Sequence, residues 1–161
     1  MKNQAQDYTI DKTDVQILSL LMKDATIPYS EIAKKLIVSP GTVHVRMKKL
    51  KEAGIIKSSQ LIIDEKKLGF GTISFMGIHL NRGSQYHQAL IKLKKIPEVV
   101  ELHYITGKYS MYAKLICKDS DHLRKVLNDN IQTIEGVERT ETFISLEESI
   151  KRQIKIEQFL P

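Results

Sequence analysis

The residues best suited to chemistry with an anionic partner lie in one short stretch of the chain, residues 39–58. This stretch holds one acidic side chain, Glu52, against five cationic ones, for a formal charge of +4; the cations are Arg46, Lys48, Lys49, Lys51 and Lys57. Residues 1–70 as a whole hold 12 Lys and Arg against 8 Asp and Glu, which is also +4. The basic excess of the N-terminal half is therefore concentrated here, as is typical of a surface that contacts phosphate groups.

The spacing of apolar residues predicts that this stretch begins with an amphipathic helix over residues 40–53. Ser39 is a favourable N-cap, Pro40 suits the first helical position, and Gly54 ends the helix. One face is apolar and must meet a core, because three residues recur at i, i+4 and i+7: Val43, Met47 and Leu50. The opposite face presents Gly41, Thr42, Val45, Lys48 and Lys49, with His44 and Arg46 at its flanks.

A second, shorter helix is predicted just before this one, with a tight turn between them. Ser30 can cap this helix, and Ile32, Ala33 and Leu36 give it an apolar face. Two adjacent helices of this kind, the second apolar behind and basic in front, form a helix-turn-helix whose second helix reads the major groove of double-stranded DNA. The alternative is an ordinary lysine-rich helix whose charged face is only solvated. The local concentration of charge favours the first interpretation.

In the helix-turn-helix interpretation the exposed residues divide by chemistry. The cations Arg46, Lys48, Lys49 and Lys57 are expected on phosphates, whereas Thr42, Val45 and His44 are expected near base edges. Ser39, with the N–H groups that follow it, is expected to hold a phosphate at the helix N-terminus.

The rest of the N-terminal domain, residues 1–63, is predicted to support these two helices. A first helix begins after Asp11, which can cap it, and Asp14 lies in its first turn, where a carboxylate is favourable. After Gly54, residues 55–63 are predicted to form two short strands around residues 57–60, either as a wing that touches phosphate or as a simple packing hairpin. Residues 64–71 form a linker that closes with Leu68-Gly69-Phe70-Gly71.

From Thr72 the pattern changes to strands and helices in the order βαββαβ, which predicts a ferredoxin-like second domain over residues 72–161. The predicted strands are Thr72–Leu80, Val99–Ile105, Tyr109–Cys117 and Val137–Leu146. One helix starts at Ser84; the other follows a cap at Asp119 or Ser120 and turns inward Leu123, Leu127, Ile131 and Ile134. The fold class is α+β. One face of so small a sheet is left bare, which favours burial against a second copy. A final strand near Ile154 is a further possibility.

Composition excludes several functional classes. With 161 residues, 42% hydrophobic content and a net charge of +6, the chain suits a globular protein with an anionic partner. It shows neither a membrane-spanning run nor a signal-peptide pattern at its start. The single cysteine, Cys117, excludes an internal disulfide and fits a reducing cytoplasm. The five histidines lack metal-ligand spacing, and no catalytic motif is present. We therefore expect no enzyme activity, metal or cofactor.

The order of parts and the residues together resemble the Lrp/AsnC family, the leucine-responsive or feast/famine regulators. The resemblance rests on Ile10-Asp11, Asp14 and Ile17-Leu18, then on Tyr29-Ser30-Glu31-Ile32-Ala33, Thr42-Val43, Arg46-Met47 and Ala53-Gly54-Ile55-Ile56, and on Thr106-Gly107-Lys108-Tyr109. It implies a winged helix-turn-helix joined to a ferredoxin-like effector-binding and assembly domain. It also implies homodimers formed through the sheet, often rings of four dimers, with amino acids bound between dimers.

Two positions depart from the pattern of this family. Ile37 stands in the turn where members usually have glycine, and a β-branched residue fits a left-handed conformation poorly. Ser110 stands where members commonly have an acid. By matching positions, the effector would be lined by Gly107, Tyr109, Ser110 and Met111.

The alternative for this second site is that Gly107-Lys108 is only a tight turn. If it is a site, loss of the acid leaves a buried ammonium group without a charged partner. We expect weak or absent binding of most amino acids, with leucine or methionine the exceptions. Two alternatives to a regulator stay open: a DNA-organising protein whose second domain serves assembly only, and a small-molecule-binding or enzymatic ferredoxin-like domain.

Overall fold

The computed structural model of the protein describes residues 8–158, which fall into two compact units. The first unit comprises residues 8–62 together with 150–158, and the second comprises residues 63–149. Residues 1–7 and 159–161, which the sequence assigns to the first and second domains, lie outside the described residues. No helix in the described range is long and apolar enough to cross a membrane.

The first unit is built on three helices: α1 (Lys12–Lys23), α2 (Tyr29–Leu36) and α3 (Pro40–Glu52). As predicted, Asp11 caps α1: its carboxylate accepts the Asp14 N–H, and the Asp14 carboxylate accepts the Asp11 N–H in return. The core between the helices consists of apolar residues with little or no exposed surface, namely Ile17, Ile27, Ile32, Ala33, Val43, Met47 and Leu50. The three-helix arrangement that the sequence predicts is therefore present.

Two segments of the first unit differ from the prediction. Residues 55–63 form no strands. Ile55 and Ile56 pack against the core, but Leu61 and Ile62 are exposed, so the second strand of a hairpin would have no apolar support. Residues 150–158, which the sequence places in the second domain, group instead with the first unit. They contain no strand near Ile154; the segment ends in a 3-10 turn, Ile156–Gln158, that packs against α1.

The second unit is a four-stranded antiparallel sheet with two helices: β1 (Thr72–Leu80), α4 (Tyr86–Leu93), β2 (Val99–Tyr104), β3 (Met111–Cys117), α5 (Ser120–Lys125) and β4 (Val137–Ile144). The strand order is β2-β3-β1-β4. This is the predicted ferredoxin-like topology. The Asp119 carboxylate caps α5 by accepting the His122 N–H, and α5 continues as a π-helical segment, Val126–Ile131.

The two faces of this sheet differ in cover. Alternate residues of β1 and β3 point to one face, where Met76, Ile78, Met111 and Leu115 form a core with residues of both helices. The other face, called the open face below, carries the residues between them; they include Ile73, Phe75, Gly77, His79, Tyr112, Lys114 and Ile116. On β4, Phe143 and Glu141 pair with Phe75 and Gly77 of β1 and extend the open face.

Candidate nucleic-acid interface

The helix α3 is held by local bonds at its start and by packing along one face. The Ser39 hydroxyl accepts the Thr42 N–H at 3.1 Å and lies 2.9 Å from the Thr42 hydroxyl, so the predicted cap is present. Val43, Met47 and Leu50 are buried, as their spacing predicts. This packing leaves the opposite face of α3 turned away from the core.

That opposite face is exposed and cationic. Gly41, Lys48 and Lys49 are exposed, and the apolar side chain of Val45 is 55% exposed. Lys48 lies 3.8 Å from Glu52, a loose pair in which both side chains are largely exposed. An apolar side chain that is half exposed beside exposed lysines matches a surface that approaches base edges and phosphates.

The two flanks of α3 are occupied differently. On one side the ring of His44 meets the ring of Tyr29 edge-on at 4.7 Å, which turns the imidazole toward α2. On the other side Arg46 does not extend freely into solvent. Its Nη1 atom lies 2.7 Å from Asp11 Oδ2 and 2.9 Å from Asp14 Oδ1. Arg46 is therefore held within the unit by two close carboxylates, whereas Lys48 of the exposed face has only the loose, solvent-exposed pair with Glu52.

The segment before α1 runs along the same side of the unit. Tyr8 and Thr9 share a concave surface with Thr42, Val45 and Lys49, so this segment borders the exposed face of α3. The Tyr8 hydroxyl donates to Asp14 at 2.9 Å. The sequence does not indicate this arrangement, because Tyr8 lies 6 positions and Arg46 lies 32 positions from Asp14, the residue that both contact.

The turn between α2 and α3 has a strained backbone at the position the sequence singled out. Ile37 has φ 55° and ψ 48°, the left-handed region, and its side chain is 93% exposed. It is the one non-glycine residue with positive φ among residues 8–158. Lys57, the last predicted phosphate contact, lies beyond α3 in the segment without strands and is exposed.

The predicted effector residues of the second unit do not converge on one surface. Met111 is fully buried in the core on the helix face, whereas Tyr109 lies on the open face, where its ring covers Gly77. The Ser110 hydroxyl accepts the Leu80 N–H at 3.3 Å. Gly107 has φ 111°, a conformation that glycine adopts readily, which agrees with a tight turn.

An acid does lie beside this turn, at a position the sequence analysis did not select. Glu141 on β4 accepts from Lys108 Nζ and from the Tyr109 hydroxyl, each at 2.8 Å, with Arg139 and His79 3.6 Å away. The Lys108 and Tyr109 hydrogen bonds lower the pKa of Glu141 to about 2. Glu141 lies on β4, 33 positions along the chain from Lys108 and 32 from Tyr109, so the residues around the turn do not indicate its presence there.

Comparison with known proteins assigns both parts of the chain to described families. Residues 10–57 match the family described as winged helix-turn-helix DNA-binding, and residues 73–154 match the Lrp/AsnC ligand binding domain. The chain is 45% identical over 148 residues to the regulatory protein AsnC of Haemophilus influenzae, covering 92% of this chain and 99% of that protein. It is 44% identical over 150 residues to the regulatory protein AsnC of Escherichia coli K12, covering 93% and 99%.

Solved structures agree with the sequence relatives. The structure of Escherichia coli AsnC superposes with a TM-score of 0.88 at 44% identity, covering 92% of this chain and 99% of that one. A transcriptional regulator from Neisseria meningitidis, NMB0573 in complex with L-Met, superposes with a TM-score of 0.89 at 21% identity, covering 94% and 100%, and shares the fold.

Proposed function

Because this chain belongs to the Lrp/AsnC family of DNA-binding transcriptional regulators, we propose that it acts in the cytoplasm as a non-enzymatic, sequence-specific regulator that reads double-stranded DNA with α3. The observation that carries this proposal is the division of α3 into two faces. Val43, Met47 and Leu50 fix the helix on its unit, while Val45, Lys48 and Lys49 are left exposed on the other side. A helix fixed in this way presents its outer face to a major groove.

The contacts divide by side-chain chemistry. Lys48, Lys49 and Lys57 bind phosphates, and the N-terminal end of α3 at Ser39 receives another phosphate. Thr42 and Val45 approach base edges, where the apolar Val45 suits a thymine methyl group. His44 is turned toward Tyr29, so it reaches bases only at the flank of the helix.

The salt dependence of DNA binding tests the phosphate contacts. Replacing Lys49 by Ala removes one phosphate contact, so the slope of log K against log salt should become shallower by about one unit for any sequence. Lys125, at the end of α5 in the other unit, provides a matched control: Lys125→Ala removes the same charge and should leave the slope unchanged. If Lys48→Ala and Lys49→Ala both leave the slope unchanged, α3 is not the DNA-reading helix.

We also propose that the protein works as a homodimer joined through the open face, and that dimers assemble further into rings of four. The open face supports this proposal because Phe75 stacks on Tyr112 there and Phe143 is half exposed beside them. A dimer presents two copies of α3, so its site is an inverted repeat with half-sites about one helical turn apart, or a multiple of that spacing.

Light scattering tests the assembly. The unaltered chain should have at least the mass of a dimer at low concentration, and Ile116→Glu, on the open face, should lower that mass. Ile91 on α4 is an exposed apolar residue elsewhere on the unit, and Ile91→Glu should leave the mass unchanged. A persistent monomer for the unaltered chain would rule out assembly through this face. In footprinting, long sequence-tolerant coverage would instead favour a DNA-organising protein.

The second unit is proposed to bind a small effector near the turn at Gly107, with amino acids as the ligand class. NMB0573 was solved with L-Met, which is the side-chain chemistry we favour for this chain, together with leucine. Ser110 offers an ammonium group only a neutral hydroxyl, so most free amino acids should bind weakly or not at all. Met111 is left out of this site because its side chain is fully buried.

Calorimetry against the full set of amino acids tests this site. Micromolar binding by a broad range would contradict the role given to Ser110. Ser110→Asp keeps an acceptor for the Leu80 N–H and adds a charge, so it should tighten binding if the ammonium group is held there. No change would mean that the turn at Gly107 is only structural.

A further inference from the structure

One carboxylate in the first unit, that of Asp14, is fully buried and joins three parts of the chain. It accepts the Tyr8 hydroxyl at 2.9 Å, Arg46 Nη1 at 2.9 Å and the Asp11 N–H at 3.1 Å. The group therefore connects the segment before α1, the start of α1 and the middle of α3. A buried carboxylate is tolerated when it is paired and hydrogen-bonded in this way, and removing one partner leaves it uncompensated.

The positive charge of Arg46 is paired inside this group. The same Nη1 atom contacts Asp11 at 2.7 Å, so one guanidinium faces two carboxylates and the three residues together carry a formal charge of −1. The Arg46 side chain is only 25% exposed, in contrast to the 77% of its neighbour Lys48. The hydrogen bonds from the Asp14 N–H and from Arg46 lower the pKa of Asp11, which keeps the pairing charged.

We propose that Arg46 is a positioning residue rather than a phosphate contact, and that the group Tyr8–Asp11–Asp14–Arg46 sets the orientation in which α3 meets DNA. Arg46 follows Val45 directly and lies one turn from Thr42, so a tether at Arg46 holds the residues assigned to base edges. This inference rests on the proposed function of α3 and adds what fixes its orientation.

A tether of this kind affects sequence discrimination more than general affinity. Lysine contacts to phosphates tolerate small rotations of the helix, because a long side chain follows the phosphate. Contacts of Thr42 and Val45 with base edges are short and directional, so the same rotation breaks them. Loosening the group should lower specific binding and leave the salt-dependent, non-specific binding in place.

The experiment compares two DNA probes with the full-length protein. One is a duplex selected by the unaltered protein from a random-sequence pool, and the other is an unrelated duplex of equal length. Affinity is measured over a range of salt, at a temperature where circular dichroism shows each variant to be folded. The variants are Arg46→Gln and Tyr8→Phe, with Lys49→Gln as the control that removes one positive charge from the exposed face.

For Arg46→Gln we expect the ratio of specific to non-specific affinity to fall about tenfold or more, with an unchanged salt slope. Tyr8→Phe removes one hydrogen bond and should lower the ratio by about threefold, without a change in slope. Lys49→Gln should reduce the slope by about one unit and weaken both probes alike. A role limited to folding would lower the melting temperature but leave the ratio of the folded protein unchanged.

The outcomes separate this inference from the proposed function. If Arg46→Gln lowers the slope as Lys49→Gln does, Arg46 is a phosphate contact and the inference is wrong, while α3 remains the reading helix. If the Arg46 variant does not fold, Tyr8→Phe decides, because an unchanged ratio there overturns the inference. If the slope responds to neither Lys49 nor Arg46, the function proposed for α3 fails instead.

Discussion

The ring of Tyr109 lies directly against the backbone of Gly77 on the open face of the sheet. A Cβ at Gly77 would come within 2.5 Å of the ring carbons, so only glycine fits beneath it. From this position the Tyr109 hydroxyl reaches Glu141, which is the residue paired with Gly77 across β1 and β4. The close approach of one ring to one glycine thus fixes the turn at Gly107 to the centre of the sheet.

Replacing Gly77 by Ala should therefore destabilise the second unit. The ring must move, which strains its contacts with Glu141 and His79, and overpacking of this kind costs about 1–3 kcal/mol. Urea denaturation measures the free energy of unfolding. The matched test is a double-mutant cycle with Tyr109→Ala: once the ring is absent, Gly77→Ala should cost much less. An equal cost in both backgrounds would show that the ring is not what excludes a side chain.

Replacing Ile37 by Gly should stabilise the first unit. An L-residue in the left-handed region costs about 1–2 kcal/mol, and the 93% exposed side chain of Ile37 contributes little packing. Part of the gain is offset by the larger backbone entropy of glycine, so we expect a net gain of about 1 kcal/mol or less. Differential scanning calorimetry should show a rise of a few degrees, since about 1 kcal/mol shifts the melting temperature of a small domain by about 4–8 °C.

Gly54 provides the opposite control for Ile37. It has φ 71° with nothing near the position of a Cβ, so Gly54→Ala tests backbone strain without a clash. This variant should lower the melting temperature while Ile37→Gly raises it. A decrease for Ile37→Gly would mean that the side chain contributes more than its exposed position indicates.

The sequence predicts the parts of this structure that depend on near neighbours. The caps at Asp11, Ser39 and Asp119 are present, because a capping bond joins residues three apart. The cap predicted at Ser30 is wrong: α2 already begins at Tyr29, after Pro28, and has no side-chain cap. The apolar face of α3 follows from a repeat of 3.6 residues, and the strand order follows from the βαββαβ pattern. The strain at Ile37 was also visible, because a turn between two helices needs a conformation that isoleucine disfavours.

The features that sequence reasoning missed depend on residues far apart in the chain or on a local change of helical period. The pairing of Arg46 with Asp14 and Asp11 was missed because these acids lie 32 and 35 positions away. Glu141 was missed for the same reason. In the helix after Asp119, Leu127 packs against the core as predicted, but Val126, which the regular repeat does not select, is buried more deeply in the π-helical segment. In residues 55–63, Ile55 and Ile56 pack against the core, but Leu61 and Ile62 do not, so the second predicted strand has no core beneath it.

The pairing of Glu141 predicts a dependence of stability on pH. The hydrogen bond from Lys108, and then that from Tyr109, lower the pKa of Glu141 from 4.5 to about 2 in the folded protein. The charged form is therefore favoured by folding. Its stabilising effect is complete above about pH 4.5 and is lost as the pH falls through about 2.

Glu141→Gln should remove this dependence. The free energy of unfolding, measured by urea titration at a series of pH values, should be lower for the variant at pH 6. The difference between the two proteins should shrink as the pH is lowered from 4.5 toward 2. Other carboxyl groups titrate in both proteins and cancel in the difference. A constant difference across this range would contradict the pairing of Glu141 with Lys108 and Tyr109.

Cys117 should be unreactive as long as the second unit is folded. Its side chain is fully buried at the end of β3, and this burial, with smaller effects of Glu98 and Asp119, raises the pKa of its thiol to about 11. Only the thiolate attacks a disulfide reagent, and at pH 8 a thiol with this pKa is about 0.1% ionised, in addition to being inaccessible. Exchange with an aromatic disulfide should therefore be slow in buffer and fast in denaturant, with Cys117→Ala as the blank.

The same shift of the Cys117 pKa has a consequence for stability in alkali. Because the folded protein favours the neutral thiol, the stabilisation is complete below the unfolded pKa of about 9 and is lost as the pH rises through about 11. Cys117→Ala has no thiol to ionise, so it should not lose this stabilisation in alkali. The free energy of unfolding of the unaltered protein should therefore fall relative to that of Cys117→Ala between pH 9 and 11. Stoichiometric labelling of the native protein within seconds at pH 8 would contradict both the burial and the raised pKa.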